Sequence, residues 1–95
     1  MTRALTGIFA PVITTFRGAD EALDIAGFRA NLLAHLADGL DGIVVAGSTG
    51  EAALLDEGER ALLAATAREV VPRDKWLIVG TGAESTHQCL ARCRA

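Results

Sequence analysis

The sequence predicts an α/β fold built on a parallel sheet, and three observations carry this prediction. Short apolar runs alternate with longer amphipathic segments, which is the pattern of repeated βα units. The uninterrupted run at residues 42–46 is rich in β-branched side chains, as is typical of a strand buried on both faces of a parallel sheet. Gly47 and Gly80 each follow such a run and lie 33 residues apart, which indicates about three repeats of one unit.

The first predicted unit is a short strand followed by a helix. The apolar run at residues 8–13 forms the strand, and Pro11 keeps it short or irregular because proline has no amide hydrogen for a sheet. A polar turn follows. Asp24 is a suitable N-cap for the helix, and Gly39 suits the left-handed position after its last turn. Apolar residues recur at helical spacing along one face of this helix: Ile25, Phe28, Leu32, Leu33 and Leu36.

The second unit repeats the pattern. After the strand at residues 42–46, Asp56 and Glu59 have the spacing of a capping box and mark the start of a helix. Pro72 marks its end, because proline cannot continue a helix.

The third unit has a strand at residues 76–79 and a helix that opens at Ser85, which with Gln88 forms a second capping-box pattern. Three parallel strands without closure leave two open edges and an uncovered sheet face. Parallel sheets are normally covered on both faces or closed into a barrel. We therefore expect residues 1–95 to be one partial domain, with three strands, two helices and the start of a third helix.

Composition excludes several classes of function. The chain has 95 residues, of which 51% are hydrophobic and 22% charged, within the range of globular proteins. Nine basic residues against twelve acidic ones give a net charge of −3, and the basic residues are scattered, which argues against a nucleic-acid partner. No stretch approaches the roughly 20 apolar residues that span a bilayer, and no signal peptide is evident. Cys89 and Cys93 are too few for a disulfide framework. The sequence therefore predicts a cytoplasmic protein that does not enter a membrane.

The loop at residues 47–51 is the strongest candidate for a functional site. It reads Gly-Ser-Thr-Gly-Glu and directly follows the buried strand, at the end of a parallel sheet where functional loops gather. Its glycines permit close approach of a ligand, and the hydroxyls of Ser48 and Thr49 can bind an anion or a carbonyl oxygen. A purely structural role for these hydroxyls remains open on chemistry alone. The loop has neither the lysine of a phosphate-binding P-loop nor the three glycines of a dinucleotide fingerprint.

Several segments together resemble one enzyme family. They are Gly7 to Val12, Thr14 to Phe16, Gly42 to Glu51, Glu59 with Arg60, and Gly80 to Thr86. In this order they are similar to the N-terminal part of the dihydrodipicolinate synthase / N-acetylneuraminate lyase family. Members of this family are (β/α)8 TIM barrels of about three times this length, usually homotetramers. The resemblance therefore implies that the chain is the N-terminal (βα)3 part of such a barrel.

The resemblance also implies a chemistry. Family members are class I aldolases, lyases or synthases in which a lysine amine forms a Schiff base with pyruvate or another 2-oxo acid, which then reacts with, or releases, an aldehyde. By analogy, Thr49 would bind the 2-oxo acid carboxylate through its hydroxyl and amide. Ser48 would take the position of a hydroxyl that relays protons between tyrosines. No cofactor and no metal are implied, and the aldehyde partner is left open.

The chain departs from the family pattern in two ways. Thr15 stands where the family commonly has proline, which affects loop rigidity more than chemistry. The family's Schiff-base lysine comes from the sixth strand and its catalytic tyrosine from the fifth, whereas this chain has no tyrosine and a single lysine, Lys75. Lys75 precedes the third strand, at the end opposite the loops, and is expected to be a solvated surface cation. The chain alone is therefore expected to be inactive.

Other interpretations stay in view. The chain could be a small βα module that assembles with itself or with a partner chain and buries its open edges. A metal cluster of His87, Cys89 and Cys93 is disfavoured because structural zinc sites have four ligands at recognisable spacings. His35 is expected to be a half-buried packing residue, and Glu51 to orient the loop by accepting backbone amides.

Overall fold

Three short strands form a parallel sheet in the computed structural model, which describes residues 4–20 and 22–95. The elements in chain order are β1 (Phe9–Pro11), β2 (Phe16–Arg17), β3 (Ala22–Leu23), α1 (Ile25–Ala37), β4 (Gly42–Val45), a 3-10 turn (Ala52–Leu54), α2 (Glu57–Val70), β5 (Trp76–Val79) and α3 (Thr86–Arg94). Strand β4 lies between β1 and β5 and is parallel to both. Ile43 is opposite Ala10 on one side and Leu77 on the other. The predicted α/β class with a parallel sheet is confirmed.

The core lies between this sheet and helices α1 and α2. Its largest buried side chains come from three elements: Phe28 and Leu32 on α1, Ile43 and Val45 on β4, and Leu63 on α2. Burial of each such side chain contributes about 1.5–3 kcal/mol to folding. The sheet thus acquires one face that is covered by α1 and α2.

Local signals in the sequence predict the ends of the helices correctly. The Asp24 carboxylate accepts a hydrogen bond from the Gly27 amide at 3.0 Å and caps α1. Asp56 and Glu59 form both hydrogen bonds of a capping box, at 2.7 and 2.9 Å, and open α2. Helix α2 ends two residues before Pro72.

Some elements differ from the prediction. The predicted polar turn after residue 16 contains a small antiparallel hairpin of β2 and β3, and a hydrogen bond from the Asp24 amide to the Thr15 carbonyl closes it onto α1. Two-residue strands carry no periodicity by which a sequence could reveal them. Leu33 was expected on the apolar face of α1 but is 53% exposed. Of the capping box predicted for α3, the structure shows the bond from the Gln88 amide to the Ser85 hydroxyl.

The surface retains large apolar side chains. Among them are Ile8, Ile13 and Leu54, the last of which is 76% exposed in the turn that follows the candidate loop. None of the helices in the described part of the chain is both long and apolar enough to cross a bilayer.

Candidate functional site

The loop at residues 47–51 begins where β4 ends, beside the end of β5. The amide of Gly80 donates a hydrogen bond to the carbonyl of Val45 at 2.8 Å, so the two strand ends are joined side by side. A Cβ atom on Gly80 would lie 2.2 Å from the carbonyl oxygen of Ala46. Only glycine allows this approach without movement of the backbone, which explains why a glycine directly follows β5.

Backbone hydrogen bonds hold the loop in a compact turn. The amides of Gly50 and Ala52 both donate to the Gly47 carbonyl, at 3.1 and 3.2 Å, and the amide of Glu51 donates to the Ser48 carbonyl at 3.0 Å. Ala46, directly before the loop, and Glu51, the last residue of the loop, have φ angles of 55° and 61°. Non-glycine residues in this left-handed region cost of the order of 1–3 kcal/mol and cluster at functional sites. The surrounding contacts therefore hold a strained backbone at both ends of the loop.

A buried threonine hydrogen-bonds to the buried end of the loop at Gly50. The hydroxyl of Thr14, which is 5% exposed, donates to the carbonyl of Gly50 at 2.6 Å. Gly50 is itself buried, and a Cβ atom there would meet Thr14 Oγ1 at 3.3 Å and the Val12 carbonyl oxygen at 3.1 Å. The segment after β1 thus packs against the loop at Gly50 and holds it in place.

Ser48 and Thr49 are both exposed, with their hydroxyls and amides at the tip of the loop. Among the residues that the structure describes, no hydrogen bond uses the backbone amide of Ser48 or of Thr49. Two hydroxyls and two amide donors are consequently available within two consecutive residues. This donor set matches an anion such as a carboxylate.

A cleft of about 770 Å³ adjoins the loop, and Ser48 lines it while Thr49 lies outside it. The cleft is also lined by residues that follow β5: Gly82, Ala83, Glu84 and Gln88. Charges of both signs line the cleft: Glu51, Arg60, Glu84 and Arg92. Arg92 also pairs with Glu57 at 2.8 Å.

Arg60 is a component of the site to which the sequence analysis assigned no role. It is 7% exposed and its guanidinium donates to the carbonyls of Ala52 and Gly80. The sequence does carry a signal for its burial. Arg60 lies three residues before Leu63 and seven before Ala67, which is the spacing of one helix face, and that face of α2 is buried.

Other residues singled out from the sequence are placed as follows. Lys75 lies directly before β5, at the end away from the loop, and is half-buried rather than fully solvated. The Glu51 carboxylate caps no amide of the turn, so the role expected for it is wrong. His35 is half-buried, as expected. Cys89 is half-buried and Cys93 exposed, and the described residues hold no group of three His, Cys, Asp or Glu side chains that could bind a metal ion.

Comparison with known sequences gives a family match over nearly the whole chain. Residues 4–94 match the family described as the dihydrodipicolinate synthetase family. A protein named as a mitochondrial 4-hydroxy-2-oxoglutarate aldolase from Coccidioides immitis is 44% identical over 85 residues, which cover 88% of this chain and 27% of that protein. A 4-hydroxy-tetrahydrodipicolinate synthase from Stenotrophomonas maltophilia is 41% identical over 91 residues, which cover 96% of this chain and 30% of the synthase.

A solved structure supports the same relationship. The fold is similar to that of YagE from E. coli K12, a member of the dihydrodipicolinic acid synthase family crystallised in complex with pyruvate, with a TM-score of 0.82 and 34% identity. The match covers 97% of this chain and 30% of YagE. The chain thus spans about 30% of the length of the relatives that it matches.

Proposed function

Because the chain belongs to the dihydrodipicolinate synthetase family, we propose that it supplies the carboxylate-binding loop of a pyruvate-dependent Schiff-base aldolase, lyase or synthase. The enzyme makes or breaks a carbon–carbon bond between a 2-oxo acid and an aldehyde. The names of the two relatives differ in reaction, one an aldolase and one a synthase, so the family supports the reaction class and leaves the aldehyde open.

The observation that carries the proposal is the donor set at the tip of the loop. Ser48 and Thr49 are exposed, while Gly50 beneath them is held by the buried Thr14 hydroxyl. A rigid loop with exposed hydroxyls and amides binds a carboxylate without first being ordered, which lowers the entropic cost of binding. The pyruvate complex of YagE supports a 2-oxo acid as the ligand.

Each hydroxyl has a separate role in the proposed mechanism. Thr49 donates from its hydroxyl and amide to the substrate carboxylate, and this fixes the ketone carbon for attack by an amine. Ser48, which lines the cleft, holds a hydroxyl that accepts and passes on a proton as the Schiff base forms and the carbon–carbon bond changes. An iminium next to the reacting bond stabilises the electron pair that this bond leaves behind.

The Schiff-base amine comes from a residue beyond these 95. Lys75 is the single lysine of the chain, and it lies before β5, at the opposite end of the strand from Gly80 and the loop. The proposed partial domain, residues 1–95, is thus the (βα)3 part of a (β/α)8 barrel whose other strands contribute the lysine, and the barrel forms a homo-oligomer. No cofactor takes part, since the iminium itself accepts the electron pair.

Borohydride trapping tests the proposal. The protein as its gene encodes it is incubated with pyruvate and sodium borohydride, and its intact mass is measured. We expect a species about three times the mass of this chain that gains one reduced pyruvate per subunit, with no gain when either reagent is omitted. The same treatment of the 95-residue chain should give no adduct. Absence of an adduct on the complete gene product contradicts the proposal.

A second candidate rests on the exposed apolar side chains. Ile8 and Leu54 are 71% and 76% exposed, so a chain of this size could bury them by assembling with copies of itself as a non-catalytic module. Sedimentation distinguishes the two candidates. A gene product of 9.9 kDa per subunit that forms one defined oligomer and no pyruvate adduct favours the module.

A further inference from the structure

Arg60 is the one ionisable side chain that is buried within residues 4–20 and 22–95. It is the fourth residue of α2, and the partial positive charge at the N-terminus of a helix repels a cation there. Burial of a charge near such an end is unfavourable unless strong hydrogen bonds compensate. The position therefore requires a specific set of acceptors, and the structure provides two.

Both acceptors are backbone carbonyls next to the candidate loop. Nη1 of Arg60 lies 3.3 Å from the carbonyl oxygen of Gly80, and Nη2 donates to the carbonyl of Ala52. Nε is buried and has no partner within the described residues. The guanidinium thus joins the end of β5 to the turn that follows β4.

These two carbonyls lie next to the first and the last residues of the loop. Ala52 directly follows Glu51, the strained residue on the far side of the loop. Gly80 is held to Val45 by a hydrogen bond of 2.8 Å and approaches Ala46, the strained residue on the near side, so closely that no Cβ atom would fit. The guanidinium therefore bonds to the backbone on both sides of Ser48 and Thr49.

We propose that Arg60 is a positioning residue that sets the geometry of the loop for the carboxylate of the 2-oxo acid. This inference rests on the proposed function. Arginine is required because its planar group directs parallel donors at two acceptors, whereas a lysine ammonium is a compact point charge. Loss of the guanidinium frees the loop, and ground-state binding of the carboxylate weakens while the distant amine keeps its reactivity.

Kinetics of the complete gene product test this. Arg60→Met should raise the KM for pyruvate about tenfold and leave kcat within about threefold of wild type, and Arg60→Lys should lie between the two. Arg68→Met is the matched control: Arg68 lies on the same helix and donates to the Val71 carbonyl at 2.8 Å, away from the loop. A KM equal to that of Arg68→Met, or a fall in kcat with KM unchanged, overturns the inference.

Amide hydrogen exchange gives a readout that needs no activity. In Arg60→Lys, the peptide covering residues 46–55 should exchange about tenfold faster than in wild type, and the peptide covering α1 should not change. If the peptide covering residues 46–55 exchanges at the same rate in Arg60→Lys and in wild type, the inference is overturned, even if Arg60→Met does not fold. Failure of the wild-type protein to trap pyruvate contradicts the proposed function instead, and exchange still decides whether Arg60 holds the loop.

Discussion

The hydroxyl of Thr14 donates to the carbonyl of Gly50 at 2.6 Å across 36 residues of sequence. This bond joins the segment after β1 to the loop after β4, and both residues are buried. A carbonyl that loses its donor inside a protein keeps the full cost of its desolvation. The contact therefore links the stability of the fold to the geometry of the candidate site.

Replacement of Thr14 by valine tests that link. We expect Thr14→Val to lower the free energy of unfolding by about 1–3 kcal/mol, because the Gly50 carbonyl is left buried without a donor. Thr66→Val is the control: Thr66 is equally buried, but its hydroxyl bonds to the Leu62 carbonyl, which the helix already satisfies. Urea unfolding followed by circular dichroism measures both variants. Equal stability of the two would show that the Thr14 bond contributes nothing beyond burial.

A pair of glycine variants tests the contact between the two strand ends. Gly80→Ala should destabilise the chain by about 1–3 kcal/mol or more, because its Cβ would lie 2.2 Å from the Ala46 carbonyl oxygen and the backbone must shift. Gly82→Ala has no atom within 4 Å of the added Cβ and should be neutral or stabilise by about 0.4–1 kcal/mol. The difference between their urea midpoints is the result to measure, and identical midpoints would contradict the close approach.

Two adjacent leucines on α2 test the position of the core. Leu63 is completely buried, so Leu63→Ala should cost about 2–5 kcal/mol through the lost apolar contacts and the cavity left behind. Leu62 is 47% exposed, so Leu62→Ala should cost less than about 1 kcal/mol. Thermal unfolding compares them at the same protein concentration. The reverse order of melting temperatures would place α2 with its other face toward the sheet.

Variants of the loop hydroxyls test the roles proposed for them in the complete gene product. Thr49→Val should raise the pyruvate concentration for half-maximal borohydride trapping about tenfold or more, since one hydrogen bond to a charged group contributes about 1.5–3 kcal/mol. Ser48→Ala should change the pyruvate concentration for half-maximal trapping little. It should lower kcat about a hundredfold, which is the lower limit of the rate loss expected when a proton-transfer group is removed.

Thr86→Val serves as the control for both loop variants. Thr86 is exposed and is the first residue of α3, outside the candidate loop. The variant should trap pyruvate as wild type does. If Thr49→Val behaves like Thr86→Val, the Thr49 hydroxyl does not bind the carboxylate.

The elements that the sequence predicts well are those with local causes. Asp24, Asp56 and Ser85 each accept a hydrogen bond from an amide three residues later, so the residues that start a helix and the helix itself are adjacent in sequence. The strand at residues 76–79 is likewise predicted from its own run of apolar residues. The hairpin of β2 and β3 was missed because two-residue strands have no pattern of their own.

Taken by itself, the sequence determined the order of the βα units, the parallel sheet, and the loop with Ser48 and Thr49. Each depends on periodicity or on neighbours within a few residues. Only the tertiary structure decided what holds that loop: Thr14 reaches it from 36 residues away, and Arg60 bonds carbonyls 8 and 20 residues distant. The physical reason is that a buried polar group needs a partner, and the sheet and helix α2 must first pack before that partner comes within reach.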